Sequence, residues 1–469
     1  MTPTARIVSD RYVDSVVLMR LAQQLTRIAG VTDAAAVMGT ATNRALLAEG
    51  GFDAKGVADA GANDLIVAVK AVDAATAVSA LDQVDALLAA PVSSTDRVPT
   101  VITLDDAVGP RTGTNLAVIS LPGEYAAAEA RHALERGLHV FIFSSNVPLD
   151  DELELKRLAA ERGLLCMGPD CGTALIAGTG LGFANAVRRG PVGVVGASGT
   201  GIQAVTSLLD RFGVGVSHAI GAGSRDLSDA VAGATTFAGL DALLEDPGTE
   251  AVVVVSKPPG PATAARLREL AAVAPKPVIL CFLDELTLDD AARAAAEAVG
   301  FTPPALPEAL ALPVRPGRGR RWIRGLYAGG SLAYEAEFAL RQAGLDIGSG
   351  HAIVDLGGEE FTRGRPHPMI DARARRALLK VELADPETAV VLLDVVLGYG
   401  AAADPAGDLA DVIADARGPV VLASVCGTER DPQGLAAQEA TLREAGAHVL
   451  PTNSAAARTA ALLVSQGSR

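Results

Sequence analysis

Two glycine-serine turns are the residues in this chain best equipped for chemistry. Gly196-Ala-Ser-Gly-Thr-Gly201 follows a Val-rich run and precedes an apolar-periodic stretch at 202–212. Ala328-Gly-Gly-Ser-Leu332 stands in the same relation to 323–326 and the stretch after it. Glycines let an anion approach backbone N–H groups that lack partners in the first turn of a helix. The helix dipole adds about 0.3–1 kcal/mol. Ser198, Thr200 and Ser331 add hydroxyls, so Ser198, Gly199, Thr200, Gly201, Gly330 and Ser331 are candidate anion or phosphate ligands. The plainer alternative is a capped strand-to-helix turn with no ligand. Neither turn has the Lys-Ser/Thr pair of a P-loop or the spacing Gly-x-Gly-x-x-Gly.

Other candidates follow from placement. Lys257, in Ser256-Lys-Pro-Pro259, ends a buried-strand pattern, and open α/β sheets bind ligands at the carboxyl ends of strands. His367 and Arg365 lie in Arg365-Pro-His-Pro-Met-Ile-Asp371, which two prolines stiffen. Lys257, Arg365 and His367 are therefore read as the catalytic or charge-neutralising groups. Asp170 and Cys171 belong to Met167-Gly-Pro-Asp-Cys-Gly-Thr173, a binding loop or a tight turn. A nucleophilic Cys171 needs a basic partner, which the sequence does not supply. Glu429 and Arg430 follow another strand end, and His218 precedes Gly221-Ala-Gly-Ser-Arg-Asp-Leu227; both places are further binding candidates. The six histidines are scattered singly, so no metal site is expected.

Parallel strands must position these groups. The runs at 252–255, 278–280 and 390–393 are continuously apolar, as in a sheet covered on both faces, and they alternate with Ala-rich amphipathic stretches. An α/β fold of repeated βα units is expected. Three landmarks recur in order after residue 190: strand plus Gly-Ser turn, then Thr249-Glu-Ala-Val or Glu387-Thr-Ala-Val, then Lys276-Pro-Val or Gly418-Pro-Val. That implies two copies of one domain. At 469 residues the chain exceeds one ordinary core. The expected parts are a small α+β domain with a polar connector (1–112), a strand-helix-strand region (113–188), one copy (189–300), a Pro-rich linker (301–321) and the second copy (322–469).

Composition excludes several roles. The net charge is −15, aromatics are 3%, and the only basic run, 315–321, lies in the linker, so nucleic acid is not an expected partner. The four cysteines form no C-x-x-C pair, there is no apolar signal core, and no run approaches a membrane span. A cytoplasmic location without membrane contact is expected.

The chain resembles the FdrA family, within the superfamily of succinyl-CoA synthetase and NDP-forming acyl-CoA ligases. The resemblance covers nearly the whole chain. It rests on Ser15-Val, Met38-Gly-Thr40, Gly123-Glu-Tyr125, Met167-Gly-Pro-Asp-Cys-Gly172, Gly196-Ala-Ser-Gly-Thr-Gly-Ile-Gln203, Ser256-Lys-Pro-Pro259, Gly364-Arg-Pro-His-Pro-Met-Ile-Asp371 and Gly427-Thr-Glu-Arg-Asp-Pro432. This chain is expected to be shorter than the longer family members. The resemblance implies a CoA-binding-like Rossmann region, at 113–188, followed by two flavodoxin-like ligase-type domains. It also implies a Ser-Gly-Thr turn, here Ser198-Gly199-Thr200, that opens a helix toward a phosphorylated histidine.

Three departures stand out. Residues 281–300, where that histidine belongs, contain none. The acidic residue that helps to hold it is replaced around Ser256-Lys257. No glycine-rich CoA phosphate loop is recognisable before 116, and no ATP-grasp domain is present.

The family is also associated with purine and allantoin breakdown, as part of an oxamate carbamoyltransferase. That implies a small anionic substrate (carbamoyl phosphate, oxamate or an acyl-CoA) and either other protein subunits or a homo-oligomer. CoA is the one cofactor the resemblance admits. A carbamoyltransferase subunit, an acyl-CoA ligase subunit without its own phosphohistidine, and a non-catalytic assembly protein are the three readings left open.

Overall fold

Short Val/Ile/Leu runs form the strands and the Ala-rich amphipathic stretches form helices that cover them, giving four sheets. The computed structural model describes residues 3–11, 13, 15–89, 103–108, 113–362 and 366–467. The chain divides into two compact units, Met1–Ile102 and Thr103–Arg469.

In the first unit, β1 (Thr4–Val8), α1 (Ser15–Thr26), β2 (Val31–Met38), α2 (Ala41–Glu49), β3 (Leu65–Ala71), α3 (Ala74–Asp82) and α4 (Val84–Ala89) follow in order. The strands make an antiparallel sheet, β1-β3-β2. The central strand is buried on both faces, under Leu21, Leu25 and Ala80 on one side and Leu47, Phe52 and Val57 on the other. This is the small α+β domain the sequence implied. The strand at its start gave no sequence signal: its five residues, TARIV, are half-buried and do not alternate. The connector expected near 91–112 lies mostly outside the described residues, and α5 (Leu104–Val108) falls within it.

The second unit begins with β4 (Leu116–Ile119), α6 (Gly123–Glu135), β5 (His139–Ile142), α7 (Leu149–Glu161) and β6 (Cys166–Met167), a parallel three-stranded sheet. After β6 the chain turns into a hairpin, β7 (Thr173–Ile176) and β8 (Thr179–Gly182), which joins the next sheet antiparallel. That sheet is built by β9 (Arg189–Gly196), α8 (Gly199–Arg211), β10 (Val216–Gly221), α9 (Ala234–Glu245), β11 (Ala251–Ser256), α10 (Pro261–Val273), β12 (Val278–Phe282) and α11 (Leu288–Ala298).

Residues 301–321 form no helix or strand. They lie on the core through Leu306, Leu310, Leu312 and Val314. The last sheet follows: β13 (Trp322–Tyr327), α12 (Gly330–Gln342), β14 (Ala352–Asp355), α13 (Glu359–Thr362), α14 (Arg373–Ala384), β15 (Thr388–Val396), α15 (Gly407–Ala414), β16 (Val420–Cys426), α16 (Leu435–Glu444), β17 (His448–Leu450) and α17 (Asn453–Gly467).

Four parallel strands run in the order β12-β11-β9-β10 in one sheet and β16-β15-β13-β14 in the other. The same order from corresponding strands is what duplication predicts. Residues from both sheets enter one apolar core, filled by α8, α11, α12 and α17. In this way β9 and β13 deliver the starts of α8 and α12 to a common place.

One buried ion pair holds the second copy together. Asp394, near the end of β15, accepts the backbone N–H groups of Ala328 (2.8 Å) and Gly329 (2.7 Å). It also pairs with Arg375 at 2.7 Å, with side-chain exposures of 0% and 5%. Arg375 spends its other donors on the carbonyls of Leu326 and Asp394. Removing one partner of such a pair strands a buried charge. Asp394→Ala is therefore expected to cost about 3–5 kcal/mol in urea denaturation. A loss below 1 kcal/mol would show that the pair does not support the turn.

Candidate functional site

A cavity of ≈ 530 Å³ opens where the two turns meet. Its walls come from the carboxyl ends of β9, β10, β11, β13 and β14, as expected for a ligand site of parallel strands. Ser198, Gly199, Thr200, Gly330, Ser331, Lys257, His367, Asp170 and Cys171 all line it.

The two helix starts abut. Ser198 caps α8 by accepting the N–H of Gly201 at 3.0 Å. Its hydroxyl also meets that of Ser331 at 2.5 Å, and both serines are buried. Thr200 Oγ1 accepts the N–H of Ser331 at 3.3 Å. The hydroxyls expected to bind an anion thus bind each other's helices. Gly201 faces away from the cavity: a Cβ there would lie 2.2 Å from Ser198 Oγ and 2.7 Å from Val255 Cγ1. Its glycine serves this packing.

The two turns differ in what they leave open. At α12, the Asp394 carboxylate takes the amides of Ala328 and Gly329, and Thr200 takes that of Ser331. At α8, Gly199 and Thr200 line the cavity, and first-turn amides have no partner within their own helix. The turn with the more open amides is the first one.

Lys257, directly after β11, is half exposed and reaches across to Asp355, the last residue of β14, at 3.9 Å. Asp355 escaped the sequence reading. It ends a short apolar run, Ala352-Ile-Val, ahead of a glycine pair, so the strand-end logic that picked out Lys257 would have found it. Burial pushes its carboxyl up, against the opposing pull of Lys257 and of the Gly357 N–H that it accepts at 3.0 Å.

His367 rests against Phe183, ring centres 5.4 Å apart. Its Nδ1 accepts the N–H of Met369 at 3.2 Å. A neutral imidazole that accepts at Nδ1 carries its proton on Nε2 and donates there. Burial lowers its pKa to about 4, so the ring is neutral at pH 7.

Cys171 is buried, and burial pushes its thiol up to about 12, which removes it as a nucleophile at neutral pH. Three predicted site residues lie elsewhere. His218 Nδ1 accepts the N–H of Ala177 at 3.1 Å, and the ring turns to the β7–β8 hairpin. Glu429 accepts the N–H of Ala436, and Arg430 points to Asp210 at 3.6 Å. The segment Gly427-Thr-Glu-Arg-Asp-Pro432 is a clamp: Asp431 accepts from Asn185, Ala186 and Thr428 and ties 185–186 to the second copy. Arg365 lies outside the described residues. Among the described residues, no three His, Cys, Asp or Glu side chains converge as metal ligands, and no helix is long and apolar enough to cross a membrane.

The model of the CoA-ligase family matches residues 326–463, and that of the CoA binding domain matches 187–283, a segment that carries the first Gly-Ser turn and not 113–188. The model described as AllF, heavy metal-associated domain, matches 1–100. Those hundred residues hold no cysteine and no histidine, so they offer no thiolate or imidazole metal ligand. The uncharacterised protein YahF of Escherichia coli K12 is 37% identical over 93% of this chain and 94% of its own length. The succinate–CoA ligase α subunit of Aquifex aeolicus is 27% identical over 34% of this chain and 53% of its own, so the chain matches about half of that relative's length. The solved acetyl-coenzyme A synthetase 1 of Ca. Korarchaeum cryptofilum, in complex with phosphate and ADP, matches 75% of this chain and 83% of its own at 17% identity, TM-score 0.31.

Fold and site together define an α/β protein of the succinyl-CoA synthetase α and NDP-forming acyl-CoA ligase superfamily. Within it, the chain belongs to the FdrA family, together with YahF.

Two predictions concern the geometry. The His367 ring takes up its proton near pH 4 when folded and near 6.5 when unfolded. The unfolded state therefore binds more protons between these values, and stability falls as pH drops from 6.5 to 4. In denaturation series across that window, His367→Gln is expected to fall less steeply than the parent; equal slopes would place the ring in solvent. For Gly330, a Cβ would sit 2.4 Å from Asp355 Oδ2 and 3.3 Å from Lys257 Nζ. Gly330→Ala is expected to weaken ligand binding about tenfold by displacing both side chains, with a small change in Tm. Unchanged affinity in calorimetric titration would separate Gly330 from the ligand.

Proposed function

We propose that the cavity binds an acyl phosphate by its phosphate end, and that the chain is a subunit of an oxamate-type carbamoyltransferase. The reaction takes carbamoyl phosphate and oxamate to oxalurate and phosphate. The observation that carries the proposal is the company kept by His367: a neutral imidazole with its N–H at Nε2 lines the same cavity as an open helix start and a lysine.

Each group has a task. The Gly199 and Thr200 amides, with the α8 dipole, hold the phosphate, and Lys257 neutralises its charge. His367 Nε2–H donates to the carbamoyl oxygen, where charge develops as the carbon becomes tetrahedral. The oxamate nitrogen attacks that carbon. The new C–N bond forms, the C–O bond to phosphate breaks, and phosphate leaves with the electron pair and takes the proton the nitrogen releases. The Ser198 and Ser331 hydroxyls hold the two helix starts in register for this. Arg365 stays a candidate for the oxamate carboxylate from its sequence position alone. The association of the FdrA family with this reaction supports the same reading.

A second reading is an NDP-forming acyl-CoA ligase subunit, with CoA as its ligand, and the CoA-binding and CoA-ligase matches favour it. Against a phosphohistidine at His367 stands its Nε2 proton, since the nitrogen not engaged by Met369 is a donor and not a free nucleophile.

Carbamoyl phosphate is expected to bind the full chain in calorimetric titration, and Lys257→Ala to weaken it about tenfold, the effect of one half-exposed charged hydrogen bond. With partner subunits added, ureido product is expected from carbamoyl phosphate plus oxamate. Binding of CoA but not of carbamoyl phosphate would replace the first reading with the second.

A further inference from the structure

We infer that Asp355 is the specificity determinant of this cavity: its carboxylate accepts an N–H of the substrate's carbamoyl group, and so selects carbamoyl phosphate over acyl phosphates that carry a hydrocarbon in that place. The inference rests on the acyl-phosphate reading above and concerns the end of the substrate remote from the phosphate.

A carboxylate in the wall of an anion site repels the anion, and it lowers affinity unless it meets a donor. Asp355 is not needed to cap α12, because Asp394 already takes the amides of Ala328 and Gly329. Its contact with Lys257, at 3.9 Å and half exposed, is too long for a hydrogen bond and belongs to the weak class of ion pairs. Among the described residues, the one hydrogen bond of its carboxylate is from the Gly357 N–H to Oδ1. A carboxylate offers about four lone-pair sites, so acceptor capacity remains. Oδ2 stands at Gly330, the first residue of α12, inside the cavity. The other carboxylate of the lining, Asp170, is exposed.

The positions fit a substrate with two unlike ends. The α8 start, with open amides, suits a phosphate; the α12 start, adjoining it and lined by carboxylate, suits an N–H donor. Thr200 Cγ2 would lie 2.9 Å from a Cβ at Gly329, so the two ends are neighbours. In carbamoyl phosphate the amide nitrogen is bonded to the carbon that carries the bridging oxygen, which puts a donor next to the phosphate.

Acetyl phosphate replaces that NH2 by a methyl group of similar size and is the discriminating probe. The full-length chain would be titrated with carbamoyl phosphate, acetyl phosphate and inorganic phosphate, as the parent, Asp355→Leu and Asp355→Asn. The ratio of the two acyl phosphates is the readout, because removing a carboxylate tightens every anion alike. The parent is expected to favour carbamoyl phosphate about tenfold or more, since acetyl phosphate leaves a polar group unpaired. Asp355→Leu is expected to abolish or invert the preference. Asp355→Asn keeps an acceptor oxygen and is expected to restore part of it, which also guards against misfolding of the Leu variant. A parent that discriminates while both variants keep the full ratio overturns the role of Asp355 and leaves the acyl-phosphate reading standing. A parent that binds neither acyl phosphate overturns both.

Discussion

Two helices begin at one place, end to end, and the rest of the site follows from that. Each helix start carries roughly half a positive charge from its unpaired amides, so two starts facing each other repel. The fold resolves the repulsion with oxygen. The hydroxyls of Ser198 and Ser331 meet at 2.5 Å, and Thr200 accepts an amide from the opposite helix. Asp394 is placed beneath the second turn, fully buried, and Asp355 stands beside it. The amides that these oxygens do not take are mainly those of α8.

The two facing helices follow corresponding strands of two sheets with the same strand order, yet they are unequal. The four corresponding strands have the same order in both sheets, and the turn follows the corresponding strand in each. The register aligns Val255 with Gly196 in one copy and Leu393 with Leu326 in the other, which sets Asp394 where the first copy has Val255. In the first copy the amide of Ala197 donates to the backbone carbonyl of Val255; in the second, that of Ala328 donates to the Asp394 side chain. The added carboxylate takes two amides of the second turn. It also demands a cation in the core, which Arg375 provides at the cost of burying a charge.

The sequence made legible what depends on local pattern. Apolar runs, glycines, prolines and strand ends are read along the chain, and they gave the α/β class and the two turns and singled out Lys257 and His367, which line the cavity. Its limits show in particular residues. Asp355 is placed by β14, a four-residue strand too short to stand out. His218 and Arg430 had suitable chemistry, but their ring and guanidinium are directed at Ala177 and Asp210. The serine hydroxyls looked like ligands because nothing local reveals that the partner of Ser198 is a residue 133 positions away.

The missing histidine after β12 now has a physical meaning. The resemblance to the ligases implies a helix start that faces a phosphorylated histidine. Here His367 enters the cavity from a different element, held by Met369 at one nitrogen and by Phe183 along its ring. A ring so fixed, with its proton on Nε2 and a pKa near 4, polarises a carbonyl better than it carries a phosphoryl group. In the proposed reaction the phosphate lies at the α8 start, and the group beside it is a hydrogen-bond donor and not a phosphoryl carrier. Transfer between two bound small molecules needs that arrangement and no relay.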